Sequence, residues 1–424
     1  MADTYIPLTI DAGTMVTKAG FGGEEAPRSL VPSLVGRPRH PGVTGSMLGH
    51  ETDNFCGSDV VEHRGLLSVT EPMHRGRIVD WGRMEELLHH VLYTELQVAT
   101  EEHPLLLLEV PDNTRQDREK TATMVFEGLN APALVIQNTS VTSLYSTGRT
   151  TGLVLESGAS RTHATPIWDG YTLQHYIKRV DYGGEDLTKR LTSMFRAEGY
   201  PFSTDLDIAT VRDIKEQMCY VAGDAQFDLE FAQESRTLEK LYTLPDGAEL
   251  YMNESRFVCP EILLSPAGKF RTHSVIRQPY RALIGKSDDI SSVVTNADEA
   301  RKSSSKGENA ELNLAEGAVD KGWHDLIHEA IEMCEPSIRA ELYASVVLGG
   351  GNTMFPKLDE RIQRQVSLLA PKGVITKCVS FKNRMQAAWI GGSIIASLGT
   401  FPTMWVQKAE YDEHGPSIIH RKTL

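Results

Sequence analysis

The chain has 424 residues, a net charge of −14 and 40% hydrophobic residues. That length exceeds what one hydrophobic core usually holds, so two or more domains are expected; the acidic balance argues against a nucleic-acid surface. With no run of about eighteen apolar residues, and an N-terminus (MADTYIPLTI) lacking a basic region and a cleavable apolar stretch, neither a membrane span nor a secretory signal is expected.

In chain order, the first predicted element is a strand, Ile6–Ile10, that ends in Asp11-Ala12-Gly13-Thr14 and returns as a second strand from Val16 to Phe21. Met84, Leu87, Leu88, Val91, Leu92 and Leu96 then recur at helical spacing and give one apolar face. His89 and His90 read as surface or packing residues of that scaffold helix and not as metal ligands. A strand Leu105–Val110 follows. Leu153–Leu155 repeats the opening pattern, running into Glu156-Ser157-Gly158-Ala159-Ser160 and back through Thr162–Ile167. Late in the chain, a strand Ser345–Leu348 enters Gly349-Gly350-Gly351, and a helix is predicted from Lys357 to Ser367. Five scattered cysteines, Cys56, Cys219, Cys259, Cys334 and Cys378, form no CxxC and no His/Cys ligand spacing. They fit reduced thiols and no structural zinc.

The two hairpins carry most of the functional information. A glycine turn lets backbone approach a ligand closely, and successive amides in such turns form an anion nest. Two nests, each with a carboxylate behind it, suit a nucleotide's phosphates and a hydrated divalent cation. Either hairpin alone is also consistent with an ordinary β-turn, and three glycines before a helix with a flexible turn. Lys215-Glu216 on a predicted helix reads, by itself, as a solvated face.

The surrounding sequence resembles the actin family. The resemblance is carried by IDAGTMVTKAGFGGEEAPRSLVPSLVGRPRHPG, RIVDWGRMEELLHHVLYTEL, EEHPLLLLEVP, SLYSTGRTTG, VRDIKEQMCYVAGD, LEKLYTLPDG and AAWIGGSIIASLGTFPTMWVQKAEYDEHGPSIIHRKTL, collinear from Ile6 to Lys422 apart from one insertion. It implies an α/β, actin-like fold: two related α/β domains around a nucleotide cleft, each with a smaller subdomain. The outer domain would comprise residues 1–34, 72–146 and 387–424, with a small subdomain at 35–71 that carries an inserting loop. The inner domain would comprise 147–182 and 322–386, with a second small subdomain at 183–321.

The resemblance also implies ATP or ADP with Mg²⁺. Asp11 and Glu156 would hold the metal through water. Gly13, Thr14, Lys18, Gly158, Lys215, Glu216, Gly350, Gly351 and Met354 would contact nucleotide. Asp11, Thr139, Glu156 and His163 stand at the catalytic positions, and there the chain departs from the family. Thr139 falls on the family's Gln, Glu156 is one methylene longer than its Asp, and DSGDG becomes ESGAS, so Ala159 and Ser160 replace an Asp and a Gly. Met15 replaces a Gly, Met385 a Lys near the adenine, and Arg75 an often-methylated His. Losing one positioned proton-transfer or water-orienting group costs on the order of 10²–10⁴-fold in rate. Nucleotide binding with little or no turnover is therefore expected, with complete loss of binding as the alternative.

A cleft near Tyr145, Thr150 and Phe401, with Tyr171 and Ile395, is expected to receive actin-like subunits or actin-binding proteins. The segment after His40 is thin in apolar residues. The insertion 267–321 replaces the family's apolar cross-strand loop with a Ser-, Asp-, Glu- and Lys-rich stretch that cannot offset its ordering entropy. It reads as a disordered expansion or as a docking loop for an unknown partner. These features imply a nucleotide-binding structural subunit of a cytoskeletal or other multiprotein assembly. The alternative is a filament-forming divergent actin with working ATPase activity. Residence in the cytoplasm and cytoskeleton is expected, with the nucleus as the alternative. A kinase or chaperone of the same superfamily is disfavoured, because those enzymes lack the peripheral segments present here.

Overall fold

The parallel strands at the middle of the sheets are short and nearly all apolar, LLLLE at 105–109 and VVLG at 346–349, as strands covered on both faces require. A computed structural model of the protein describes residues 6–39, 54–265 and 321–422. The segment after His40, up to residue 53, and the insertion except Lys321 lie outside the described residues. Two units are formed, Met1–Glu185 with Trp323–Leu424, and Asp186–Gly322.

The first unit contains two main sheets built on one plan. In the first, β1 (Leu8–Ala12) pairs antiparallel with β2 (Val16–Phe21), and β3 (Ser29–Pro32) continues that edge. On its other side β1 runs parallel to β4 (Leu105–Glu109), which runs parallel to β5 (Ala133–Asn138). The short strand Val406–Gln407 closes the sheet beside β5. In the second sheet, β6 (Gly152–Ser157) pairs antiparallel with β7 (Thr162–Trp168), and β8 (Lys178–Val180) adds to β7. On its other side β6 runs parallel to β9 (Val346–Gly349). Each sheet thus begins with a hairpin whose first strand lies beside a parallel strand. This repetition is what the two related halves of the resemblance imply.

The helix predicted from periodicity forms at Trp81–His89, capped by the Asp80 carboxylate, which accepts a hydrogen bond from the Arg83 amide. It continues as a π-helical turn, His90–Glu95. Met84, Leu87, Leu88, Val91 and Leu92 are buried against the first sheet's core with Leu8, Ile10, Leu105 and Leu107. His89 is exposed and stacks on Tyr93, and His90 Nε2 lies 3.4 Å from Glu95. Among the described residues no helix is long and apolar enough to cross a membrane.

Two helices carry the chain between the sheets. Thr139–Tyr145 leads from β5 to β6, capped by Asn138, whose side chain accepts from the Ser140 amide at 2.8 Å. Ala387–Ala396 returns from the second sheet to the first, where the buried Trp389 donates to the Thr9 carbonyl at 2.9 Å. These helices touch backbone to backbone: a Cβ at Gly391 would lie 1.7 Å from the Thr142 carbonyl oxygen.

The second unit is largely helical, with a small hairpin, Lys240–Thr243 against Glu249–Met252. The helix Asp205–Met218 starts on a capping box. The Thr204 hydroxyl accepts from the Asp207 amide, and the Asp207 carboxylate accepts from the Thr204 amide at 2.7 Å. Leu229, Phe257 and Val258 share its core with Ala222, Ala225 and Ala232.

The helix contact at Gly391 yields a stability test. Gly391→Ala forces the two helices apart, and overpacking of this kind typically costs about 1–3 kcal/mol. Urea unfolding should show that loss. The same substitution at Gly399, where a Cβ meets nothing within 4 Å, should change stability far less.

Candidate nucleotide site

Strand register places a cationic or imidazole group opposite each hairpin carboxylate. Asp11 pairs with Lys18 across β1 and β2, and Lys18 Nζ donates to Asp11 Oδ2 at 2.5 Å, with both side chains mostly buried. Glu156 pairs with His163 across β6 and β7, and His163 Nε2 lies 3.2 Å from Glu156 Oε2. Glu156 also accepts from the Ser140 and Ser143 hydroxyls, at 3.4 and 3.5 Å. Burial pushes the Glu156 carboxyl up. The hydrogen bond and charge of His163, aided by the charge of Lys18, more than offset this and hold it below the usual carboxylate range. Ser140 further approaches His163 Nε2 at 3.1 Å.

The turns meet. Thr14 Oγ1 and Ser160 Oγ lie 3.0 Å apart, and the Gly76 amide donates to Thr14 Oγ1 at 3.2 Å. Gly13 is required by space, since a Cβ there would lie 2.7 Å from the Val16 carbonyl oxygen; its own carbonyl accepts from the Ser33 hydroxyl at 2.6 Å. The Gly158 amide donates to the Arg161 carbonyl at 2.9 Å, so it closes its own turn. The loss of the family's glycine at Ser160 thus has a structural outcome that the sequence alone did not reveal: a buried hydroxyl joining the two hairpins.

The glycine loop after β9 packs on the second hairpin. Gly350 has a left-handed φ of 85°, and a Cβ there would fall 2.2 Å from the Ser157 carbonyl oxygen. Asn352 Nδ2 donates to Ser157 Oγ at 3.0 Å. The helix predicted from Lys357 to Ser367 forms, starting one residue later and running two residues further. A 3₁₀ turn, Gly351–Thr353, comes first, and the α-helix spans Leu358–Leu369. Pro356 is the physical reason, because the residue before a proline disfavours the helical region. Met385 approaches Gly351, at 3.7 Å from the position of a Cβ there, and Met354 and Met385 are both partly exposed.

Asp11, Gly13, Thr14, Lys18, Thr139, Glu156, Gly158, His163, Gly350, Gly351 and Met354 are all carried by the first unit. Thr139 is buried at the first position of its helix. Lys215 and Glu216 belong to the second unit, on the helix Asp205–Met218. There Lys215 is buried and Glu216 exposed, so a wholly solvated face is not what forms. Burial pushes the Lys215 ammonium below its ordinary pKa.

Of the expected partner cleft, Phe401 is a core residue, packed with Ile395, Leu106 and Leu108. Thr150 is exposed, and Tyr145 is half-buried with its hydroxyl 2.4 Å from a Cβ built on Gly170. Accessible apolar area comes from Trp168, Tyr171, Ile394 and Leu398.

The sequence alone does not assign Ser140 and Ser143 to the carboxylate, although their spacing of three on the helix Thr139–Tyr145 puts both hydroxyls on one face.

Because the folded-state Glu156 is held below its ordinary pKa, it adds stability above the ordinary carboxylate range, and that stability is lost as pH falls through the folded value. Glu156→Gln should therefore cost about 1–3 kcal/mol at neutral pH. The deficit relative to wild type should shrink on acidification below about pH 4. Urea unfolding across pH checks this.

A family model described as Actin matches residues 2–424. With two like-built sheets, paired glycine hairpins and that match over the whole chain, the fold is actin-like and the chain belongs to the actin family.

Proposed function

We propose that this protein is a divergent actin-related subunit that binds ATP or ADP with Mg²⁺ and hydrolyses it weakly or not at all, serving as a structural part of a cytoskeletal or other multiprotein assembly. Binding is supported by the fit of the first unit's loops to a phosphate-bearing ligand. The tight glycine turns keep bare backbone at Gly13 and Gly350, and Lys18 supplies a cation beside them. Two buried polar atoms there, His163 Nδ1 and Asn352 Oδ1, have no hydrogen-bond partner among the described residues, so the region can satisfy further polar contacts. Asp11 and Glu156 would hold a divalent cation through its water shell. When bound, Mg²⁺ would neutralise phosphate charge.

Weak turnover rests on one observation above all: the Glu156 carboxylate is engaged by His163, Ser140 and Ser143. A carboxylate and an imidazole committed to each other are poorly placed to orient an attacking water or accept its proton. Thr139, short and buried, cannot reach as far as the Gln of the family pattern.

Two measurements test this reading together. Millimolar ATP with Mg²⁺ should raise the melting temperature, by the equivalent of about 2.7 kcal/mol at a hundredfold excess over Kd. Asp11→Ala should abolish the rise, and no shift in wild type would refute binding. Phosphate release should run about 10²-fold or more below that of a conventional actin under the same conditions, and a matching rate would refute weak turnover.

The accessible residues Trp168, Tyr171, Ile394 and Leu398 favour a second reading, a filament-forming actin, because an apolar surface is what a longitudinal contact or an amphipathic helix engages. Electron microscopy of pure protein in Mg²⁺-ATP and physiological salt separates the two. Monomers or short oligomers are expected, and abundant long helical filaments would establish the second reading.

A further inference from the structure

An arginine cluster gathers on Asp112 beside the hairpins. Asp112 lies just beyond β4, on the side of the first sheet. Its Oδ1 accepts from Arg161 Nη1 at 2.7 Å and its Oδ2 from Arg179 Nη1 at 2.5 Å. Arg161 sits in the turn between β6 and β7, and Arg179 in β8, so both partners belong to the second sheet. One carboxylate therefore ties the two sheets. Arg77 Nη2 donates to the Asp112 carbonyl at 3.0 Å and lies 3.6 Å from its carboxylate. Asp181 Oδ1 lies 3.4 Å from both Arg161 Nε and Arg179 Nε, which braces the two guanidinium groups.

Arg75 makes a second crossing. Its Nη1 donates to the Ser160 carbonyl at 2.9 Å and to the Asp181 carbonyl. It does so from a left-handed backbone, φ 48°, uncommon for a side chain of this size. Ser160 is the residue whose hydroxyl meets Thr14, so the ion cluster connects directly to the place where the two turns touch.

Charged hydrogen bonds of this kind are stronger than neutral ones, and partial burial limits their screening. Arg161 is 8% and Asp112 24% exposed at the side chain. Burial pushes the Asp112 carboxyl up. The hydrogen bond from Arg179 and the charges of Arg161, Arg179 and Arg77 more than offset it, so Asp112 is held below its ordinary pKa and is ionised at neutral pH. Three guanidinium groups on one carboxylate exceed what a lone surface pair needs, and surface pairs alone contribute little.

We infer that Asp112, with Arg161 and Arg179, is a cross-sheet latch that positions the two hairpin turns against each other and sets how fast nucleotide leaves the site. The latch rests on the nucleotide reading for its effect on release, but not for its effect on the turns. These are positioning residues.

The test uses the full chain, as wild type, Asp112→Asn, Arg179→Gln and the double variant. A fluorescent ATP analogue, chased with excess ATP, should dissociate about tenfold faster from Asp112→Asn. The double variant should be no faster than that single one, because both remove the same link. Arg179 is 41% exposed at the side chain, so release from wild type should accelerate with added salt more than release from Asp112→Asn does, a response that a merely structural role would not show. Glu413→Gln, 78% exposed at the side chain, serves as a control that should leave release unchanged. Hydrogen exchange without nucleotide supplies the second readout: amides of residues 12–15 and 157–161 should lose protection in Asp112→Asn. Analogue binding with unchanged, salt-insensitive release overturns the latch. So does unchanged protection of the two turns, whether or not nucleotide binds. Failure of wild type to bind the analogue, with protection lost in the variant, instead overturns the nucleotide reading and leaves the latch standing.

Discussion

The first unit depends on two β-hairpins meeting turn to turn. Thr14 and Ser160, their hydroxyls 3.0 Å apart, mark the point. Strand pairing then dictates the chemistry, because side chains alternate across a strand with a period of two. The registers that place Asp11 opposite Lys18 and Glu156 opposite His163 also send Leu8, Ile10, Leu153 and Leu155 into their cores. A slip of one residue would take both carboxylates away from these partners and repack both cores. Core packing and carboxylate placement are thus fixed by the same constraint.

What lies behind the two carboxylates differs. Asp11 faces a single flexible ammonium on a four-carbon stem, which a competing anion can draw away. Glu156 is ringed by an imidazole and two hydroxyls on short side chains, which have little reach and fewer alternative rotamers. The first hairpin is therefore the adaptable half of the candidate site and the second the preset half. The departures from the family pattern concentrate on the second.

Local features were readable in the sequence because they are written in consecutive residues. The strand-carboxylate-glycine pattern located both hairpins, and the spacing from Met84 to Leu96 located its helix through the π-helical turn. Features made by distant residues were not readable. Ser160 looked like a lost glycine until the fold brought Thr14 to it across 146 positions. Arg75, Asp112, Arg161 and Arg179 are spread over more than a hundred residues, and no local pattern announces that they converge. Lys215 looked solvated because helical spacing alone does not say which neighbours cover a side chain. Phe401, named with the partner cleft, is a core residue; large aromatic side chains serve cores and interfaces alike, so sequence alone does not separate the two roles.

The backbone contact between Gly391 and Thr142 joins the only two helices by which the described chain passes from one sheet to the other. A contact made by side chains can creep, because rotamers exchange and methyl groups slide. A carbonyl oxygen lodged against a bare α-carbon has no such freedom. The fit leaves no room for even a methyl group between the two helices, so any enlargement there is felt at both crossings between the sheets at once.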